Sequence, residues 1–179
     1  MKRSAATPKT LAELAMGNAS QSGLEAVSLR SIAKQAGCST AAIFQNFDGK
    51  AELILEAAEL ATRRDADLHD RLLADVDGLI TNHLAFSDFL SAYIELRVTV
   101  PQARYLSEVL IKLSGDDQCR AVLQRWHEKR ESFWKDILSP FDFGERLGPI
   151  VAQYSLMEEI YAYPMRDQPR FQLLKREAV

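Results

Sequence analysis

The chain has 179 residues, 47% of them hydrophobic and 26% charged, proportions that exclude a disordered, collagen-like or low-complexity protein and allow a core without disulfides or metal. Its net charge of −3 is unevenly spread: residues 1–50 carry +3 and the remainder −6, the balance expected of a nucleic-acid reader joined to an acidic body. The longest stretch without Asp, Glu, Lys or Arg, from Gln35 to Phe47, covers 13 residues and is too short to cross a bilayer of about 30 Å.

Lys9 and Glu13 interrupt the apolar region that a secretion signal needs, and Cys38 and Cys119 have no metal-ligand spacing around them. A cytoplasmic, membrane-free protein with no cofactor and no metal is the expectation.

Taken in chain order, the breakers mark out helices. Thr7-Pro8 predicts the start of a first helix that ends before Gly23. Ser28 caps a short helix over Leu29–Ala36, which Gly37 stops by adopting positive φ. Ser39 caps another from Thr40 to about Asn46. Asp48-Gly49 could open a hairpin, but its Ala-rich flanks lack strand alternation. A helix carrying Leu53, Ile54, Ala57, Ala58 and Ala61 is expected instead, and a further one through Leu68, Leu72, Leu73, Val76 and Ile80.

Phe86–Val98 reads as the next helix, stopped by Pro101, and residues 102–113 as another, broken by Ser114-Gly115-Asp116. Two longer helices follow at about 117–138 and 145–163, and a tail with a short helix near Phe171–Lys175. The fold class is all-α.

The segment Leu29–Phe47 is the informative one. Two helices that cross steeply need a small residue at their approach, a turn residue tolerant of positive φ, and inward apolar residues. Ala33, Gly37 and Ile43 meet these needs, with Ile32 and Phe47 adding apolar mass. This is a helix-turn-helix pattern, whose second helix can enter the DNA major groove. An ordinary helical hairpin is the alternative that the spacing leaves open.

With its flanks, the run Gly23-Leu24-Glu25-Ala26-Val27-Ser28-Leu29-Arg30-x-Ile32-Ala33-x-x-Ala36-Gly37-x-Ser39, then Ile43-Phe44-x-x-Phe47-x-x-Lys50-x-x-Leu53, resembles the DNA-binding region of the TetR family of transcriptional regulators over residues 9–62. The resemblance implies an N-terminal three-helix DNA-binding domain at 1–48 and a helical effector-binding and dimerisation domain at 49–179. It implies a double-stranded DNA operator as partner, a homodimer formed through the last two long helices, and an unidentified small-molecule effector.

On the DNA side the resemblance places Ser28 and Ser39 as caps that also touch phosphate, Arg30 beside them, and Thr40, Ala41, Ala42, Gln45 and Asn46 on the recognition helix. Lys50 falls where the family sets a lysine against the DNA backbone. Gln45 and Asn46 are candidate base readers because both amides can pair bidentately with adenine. Phe44 replaces the family's usual Tyr and so lacks its phosphate-binding hydroxyl, and Ala19 stands near a position that usually holds a bulky aromatic.

In the body, Tyr93, Trp126, Gln153, Tyr154 and Met157 are the candidate ligand-binding residues, weighed against a solid core or dimer seam built from the same aromatics. No nucleophile, metal or phosphate motif is present, so no catalytic residue is assigned. The reading is a dimeric repressor released from a pseudo-palindromic operator by a ligand. The alternatives are a TetR-like protein that acts through a protein partner and, more remotely, a small all-helical enzyme.

Overall fold

A computed structural model describes residues 6–76, 79–80, 82–141 and 144–165. Among these there is no strand, and the helices are α1 (Pro8–Ser22), α2 (Leu29–Ala36), α3 (Thr40–Phe44), α4 (Lys50–Val76), α5 (His83–Arg97), α6 (Pro101–Leu113), α7 (Asp117–Leu138) and α8 (Gly144–Met165), with one 3₁₀ turn at Leu24–Ala26. The tail helix expected at Phe171–Lys175 lies outside the described residues.

The helices begin where local chemistry allows. The Thr7 hydroxyl accepts from the Thr10 amide at 3.2 Å and Pro8, which has no N–H to leave unsatisfied, opens α1. Asn82 caps α5 by accepting from the amides of Leu84 and Ala85, both at 3.0 Å.

Three expectations are corrected. The two helices expected on either side of residue 63 are one continuous α4, and Ile80 lies beyond it. Nothing between Ala61 and Leu68 breaks the helical period, so no stop exists there. Pro101 does not stop a helix; it occupies the first position of α6, while α5 has already ended at Arg97. The recognition helix is shorter than expected, because α3 closes at Phe44 and leaves Gln45 and Asn46 in the following turn.

The described residues form two compact units, one drawn from 6–71 and 101–129 and the other from 72–100 and 130–165. In the first, α1 packs on α6 as well as on α2. Leu11, Ala12, Ala15, Met16 and Ala19 of α1 are buried, four of the five short enough or unbranched enough to allow close helix approach. Ser20 Oγ lies 2.7 Å from the Pro101 carbonyl, and Tyr105 donates to the Ile54 carbonyl at 2.7 Å. Trp126 donates its indole N–H to the Asp65 carboxylate at 2.7 Å inside the same unit.

The second unit is built on interlocked aromatics. Tyr93 lies 4.8 Å from Trp134 and 5.5 Å from Phe133 by ring centroids, the first pair edge to face and the second stacked. Arg130 is fully buried and satisfied by neighbours, donating to the Ala152 carbonyl at 3.3 Å and to Ser155 Oγ at 2.9 Å. Its guanidinium and that of Arg97 lie 5.6 and 5.7 Å from the Tyr93 ring centre. Gly148 lets α8 lie close against α7, since a Cβ there would sit 3.1 Å from the Lys135 backbone nitrogen.

Candidate nucleic-acid interface

The segment from Ser28 to Lys50 folds as two short capped helices around a tight turn. Ser28 Oγ accepts from the Ser31 amide at 3.1 Å and Ser39 Oγ from the Ala42 amide at 3.2 Å, so each hydroxyl closes one otherwise unpaired donor. Gly37 adopts φ 66°, ψ 26°, and the amide of Cys38 reaches back to the Ala33 carbonyl at 3.0 Å. A side chain at Gly37 would meet no neighbour, so the glycine is required by backbone conformation alone.

Ile32, Ala33, Ile43 and Phe47 are buried, the inward set that a steep helix crossing needs. What remains is left toward solvent: Ser28, Arg30, Ser39, Ala41, Phe44, Gln45, Asn46 and Lys50 are exposed, and Thr40 and Ala42 are partly so. All ten predicted DNA-facing residues are therefore available on this one segment.

Individually they are not equivalent. Asn46 donates its side-chain amide to the Ala42 carbonyl at 3.0 Å, which holds it close to α3. Gln45 is exposed in the turn just beyond α3. Phe44 is 54% exposed, an unusual position for a large aromatic. Lys50 donates to the Leu24 carbonyl at 3.1 Å, tying the start of α4 to the 3₁₀ turn that precedes α2.

That 3₁₀ turn is gripped from a second side by residues that no motif singles out. The Leu24 amide donates to Glu108 Oε2 at 3.3 Å, and Lys112 pairs with both Glu25 and Glu108. The Lys112 ammonium holds the Glu25 carboxyl below its ordinary range, while Glu25 in turn raises Lys112. Leu24 and Glu108 are 84 positions apart and Glu25 and Lys112 are 87 apart, so no local spacing could have revealed these two pairings.

The five candidate ligand residues are divided between the two units. Tyr93 is buried in the aromatic core of the second unit, and Trp126 is buried against Asp65 in the first. Gln153, Tyr154 and Met157 are exposed on α8. A cavity of about 360 Å³ does open in the first unit, at the start of α4 and the turn between α6 and α7, and none of the five lines it. A second, of about 90 Å³ between the end of α4 and the end of α7, is likewise lined by other residues.

No described helix is long and apolar enough to cross a membrane. Residues 12–57 match the family model described as bacterial regulatory proteins, tetR family. No curated protein matches the chain.

Proposed function

From the premise that this chain is a DNA-binding transcriptional regulator of the TetR family, by its residues 12–57, we propose that it acts as a homodimeric repressor, released from a pseudo-palindromic operator by a small-molecule effector. The observation that carries the reading is the division of labour in Ser28–Lys50. Its apolar residues are spent on the crossing of α2 and α3, and its polar residues, with Phe44, are left in solvent. Phosphates position such a reader through Ser28, Arg30, Ser39 and Lys50, and Thr40, Ala41, Ala42, Phe44, Gln45 and Asn46 meet bases.

Dimerisation is supported by α8. Ile150, Tyr154 and Met157 recur at intervals of four and three along it and are 61%, 51% and 46% exposed, an apolar stripe left uncovered among the described residues. Pairing these stripes across a twofold axis would bury them and fix two readers at a set spacing. In this proposal Tyr154 and Met157 serve the dimer seam, and Tyr93 and Trp126 serve the core. The domain at 1–48 reads DNA and the remainder, 49–179, responds and pairs.

Selection of bound duplexes from a random library tests the proposal. The expected product is an inverted repeat whose half-sites lie about 34 Å apart, one helical turn, bound by a dimer in light scattering. Enrichment of a single unrepeated site by a monomer overturns the dimeric reading, and absence of any enriched sequence overturns operator recognition.

A further inference from the structure

We propose that the cavity of about 360 Å³ at the root of the reader takes a compact apolar molecule bearing an anionic group, and that its occupancy weakens DNA binding through Lys50. The inference rests on the effector-controlled reading above and supplies it with a site. A volume of this size lies in the range of small-molecule pockets, about 300–1,000 Å³. Its walls are Ala51, Ile54 and Leu55 from the first two turns of α4 and Leu113 from the end of α6, which suit a ring or short hydrocarbon.

The polar groups are set at the ends of that apolar wall. Lys50 brings an ammonium with three donors, of which the Leu24 carbonyl takes one at 3.1 Å. Gln118 and Cys119 come from the first turn of α7, and Lys50 and Ala51 from the first turn of α4. Two helix starts border the same space; that of α7 is already capped by Asp116, so the Lys50 ammonium at the start of α4 is the group that favours negative charge. Asp116 is the opposing group, but its Oδ1 accepts from the Cys119 amide at 2.9 Å, so the carboxylate is engaged as the cap of α7. Burial and Asp116 push the Cys119 thiol up to about 11, which keeps it a neutral wall element at neutral pH.

The coupling to DNA follows from where Lys50 stands. One of its N–H groups fastens α4 to the 3₁₀ turn ahead of α2, and the same ammonium is the proposed partner of a phosphate. An anion seated in the cavity competes for it on both counts. Only a ligand that binds the DNA-free form better can release DNA, and competition for a single cation supplies that difference.

Fluorescence titration of the full chain with anilinonaphthalene sulfonate tests the site, with a naphthalene carboxylate and naphthylmethylammonium as competitors. Ala51→Phe and Gln118→Trp, both at exposed positions, fill the cavity from opposite sides, and circular dichroism melting establishes that each variant is folded. The expected result is a probe affinity at least roughly tenfold weaker in either filled variant, and displacement by the carboxylate roughly tenfold better than by the ammonium. Saturating probe should also weaken wild-type binding to a mixed-sequence duplex and lower the salt slope by about one, as Lys50 is withdrawn.

Undiminished probe binding in either folded variant overturns the site and leaves the effector reading to be met elsewhere. Displacement by the ammonium as effective as by the carboxylate overturns the anionic class. Binding that both variants abolish, with duplex affinity unmoved at saturation, overturns the coupling through Lys50 and removes this cavity's support for the effector reading.

Discussion

At Ser39 an observed capping role can be separated from the DNA-facing role proposed for the same side chain. Its hydroxyl accepts from the Ala42 amide at 3.2 Å, so Ser39→Ala leaves that first-turn donor without its cap. Loss of such a cap costs about 1 kcal/mol, which in a chain of this length lowers the melting temperature by about 2–4 °C. Ser39→Asp keeps an acceptor in the same place and caps comparably, so its melting temperature should stay near that of the wild type. The added charge acts on DNA. If a phosphate comes within about 6 Å of this position, as the reading of the segment requires, repulsion costs about 1–3 kcal/mol at an effective dielectric constant between about 20 and 80. Fluorescence anisotropy with a mixed-sequence duplex at low salt should then show Ser39→Asp binding roughly tenfold to a hundredfold more weakly. An aspartate variant that melts normally and binds the duplex with wild-type affinity and salt slope would refute the placement of α3's start against the backbone.

Other outcomes follow from the same geometry. Gly37→Ala meets no steric neighbour but must hold φ 66°, so it should lose about 1 kcal/mol in urea unfolding, with Gly37→Asn losing less; equal losses would mean that something other than the left-handed conformation is at stake. Trp126→Phe should cost about 1–3 kcal/mol by removing the buried bond to Asp65, and Trp126→Ala about 3–5 kcal/mol by adding a cavity; near-neutral values would place Trp126 against a ligand space instead of in the core. The Glu25–Lys112 pair should matter between two flanks of pH. Glu25 is lowered from 4.5, so its contribution is present above that value and is lost as the pH falls through its folded value. Lys112 is raised from 10.5, so its contribution is complete below that value and is lost as the pH rises through its folded value. Melting curves of Lys112→Met should therefore approach those of the wild type at both extremes, and a difference constant from acid to alkali would exclude the pair as its source.

How much was legible in the sequence depended on how local each cause is. Ser28, Gly37 and Ser39 act on amides within four residues of themselves, and the α2 boundaries and the turn were readable from them. Ile32, Ala33 and Ile43 were readable for the same reason, since helical period places them inward, while Phe47, buried beyond the end of α3, was readable only as apolar mass. Pro101 shows the limit of punctuation: proline is compatible with the first turn of a helix as well as with the end of one, and only the end of α5 at Arg97 decides between them. In the body, large aromatics at helical spacing are equally consistent with a cavity wall and a packed core. The 4.8 Å approach of Tyr93 to Trp134, which tells the two apart for Tyr93, joins residues 41 positions apart.

The long-range contacts of the first unit add a constraint on how any response could reach DNA. The reader is fastened to α6 by Ser20 against the Pro101 carbonyl and by Glu108 under the Leu24 amide, and α6 is fastened to α4 by Tyr105 on the Ile54 carbonyl. The Tyr105 bond runs from a buried side chain to a backbone carbonyl at 2.7 Å, so α6 cannot shift against α4 without leaving polar groups unpaired, at about 1–3 kcal/mol each. The Ser20 hydroxyl also lies 2.6 Å from the Met16 carbonyl and keeps a partner if Pro101 withdraws, so a displacement of α6 is coupled first to α4. Lys50, by contrast, is an exposed strut on a flexible stem, and its single bond to Leu24 can be exchanged for a bond to an anion at little cost. The two routes differ in what they move: the first carries α4 with α6, and the second frees the 3₁₀ turn and the charge proposed to meet phosphate while α1 stays seated on α6.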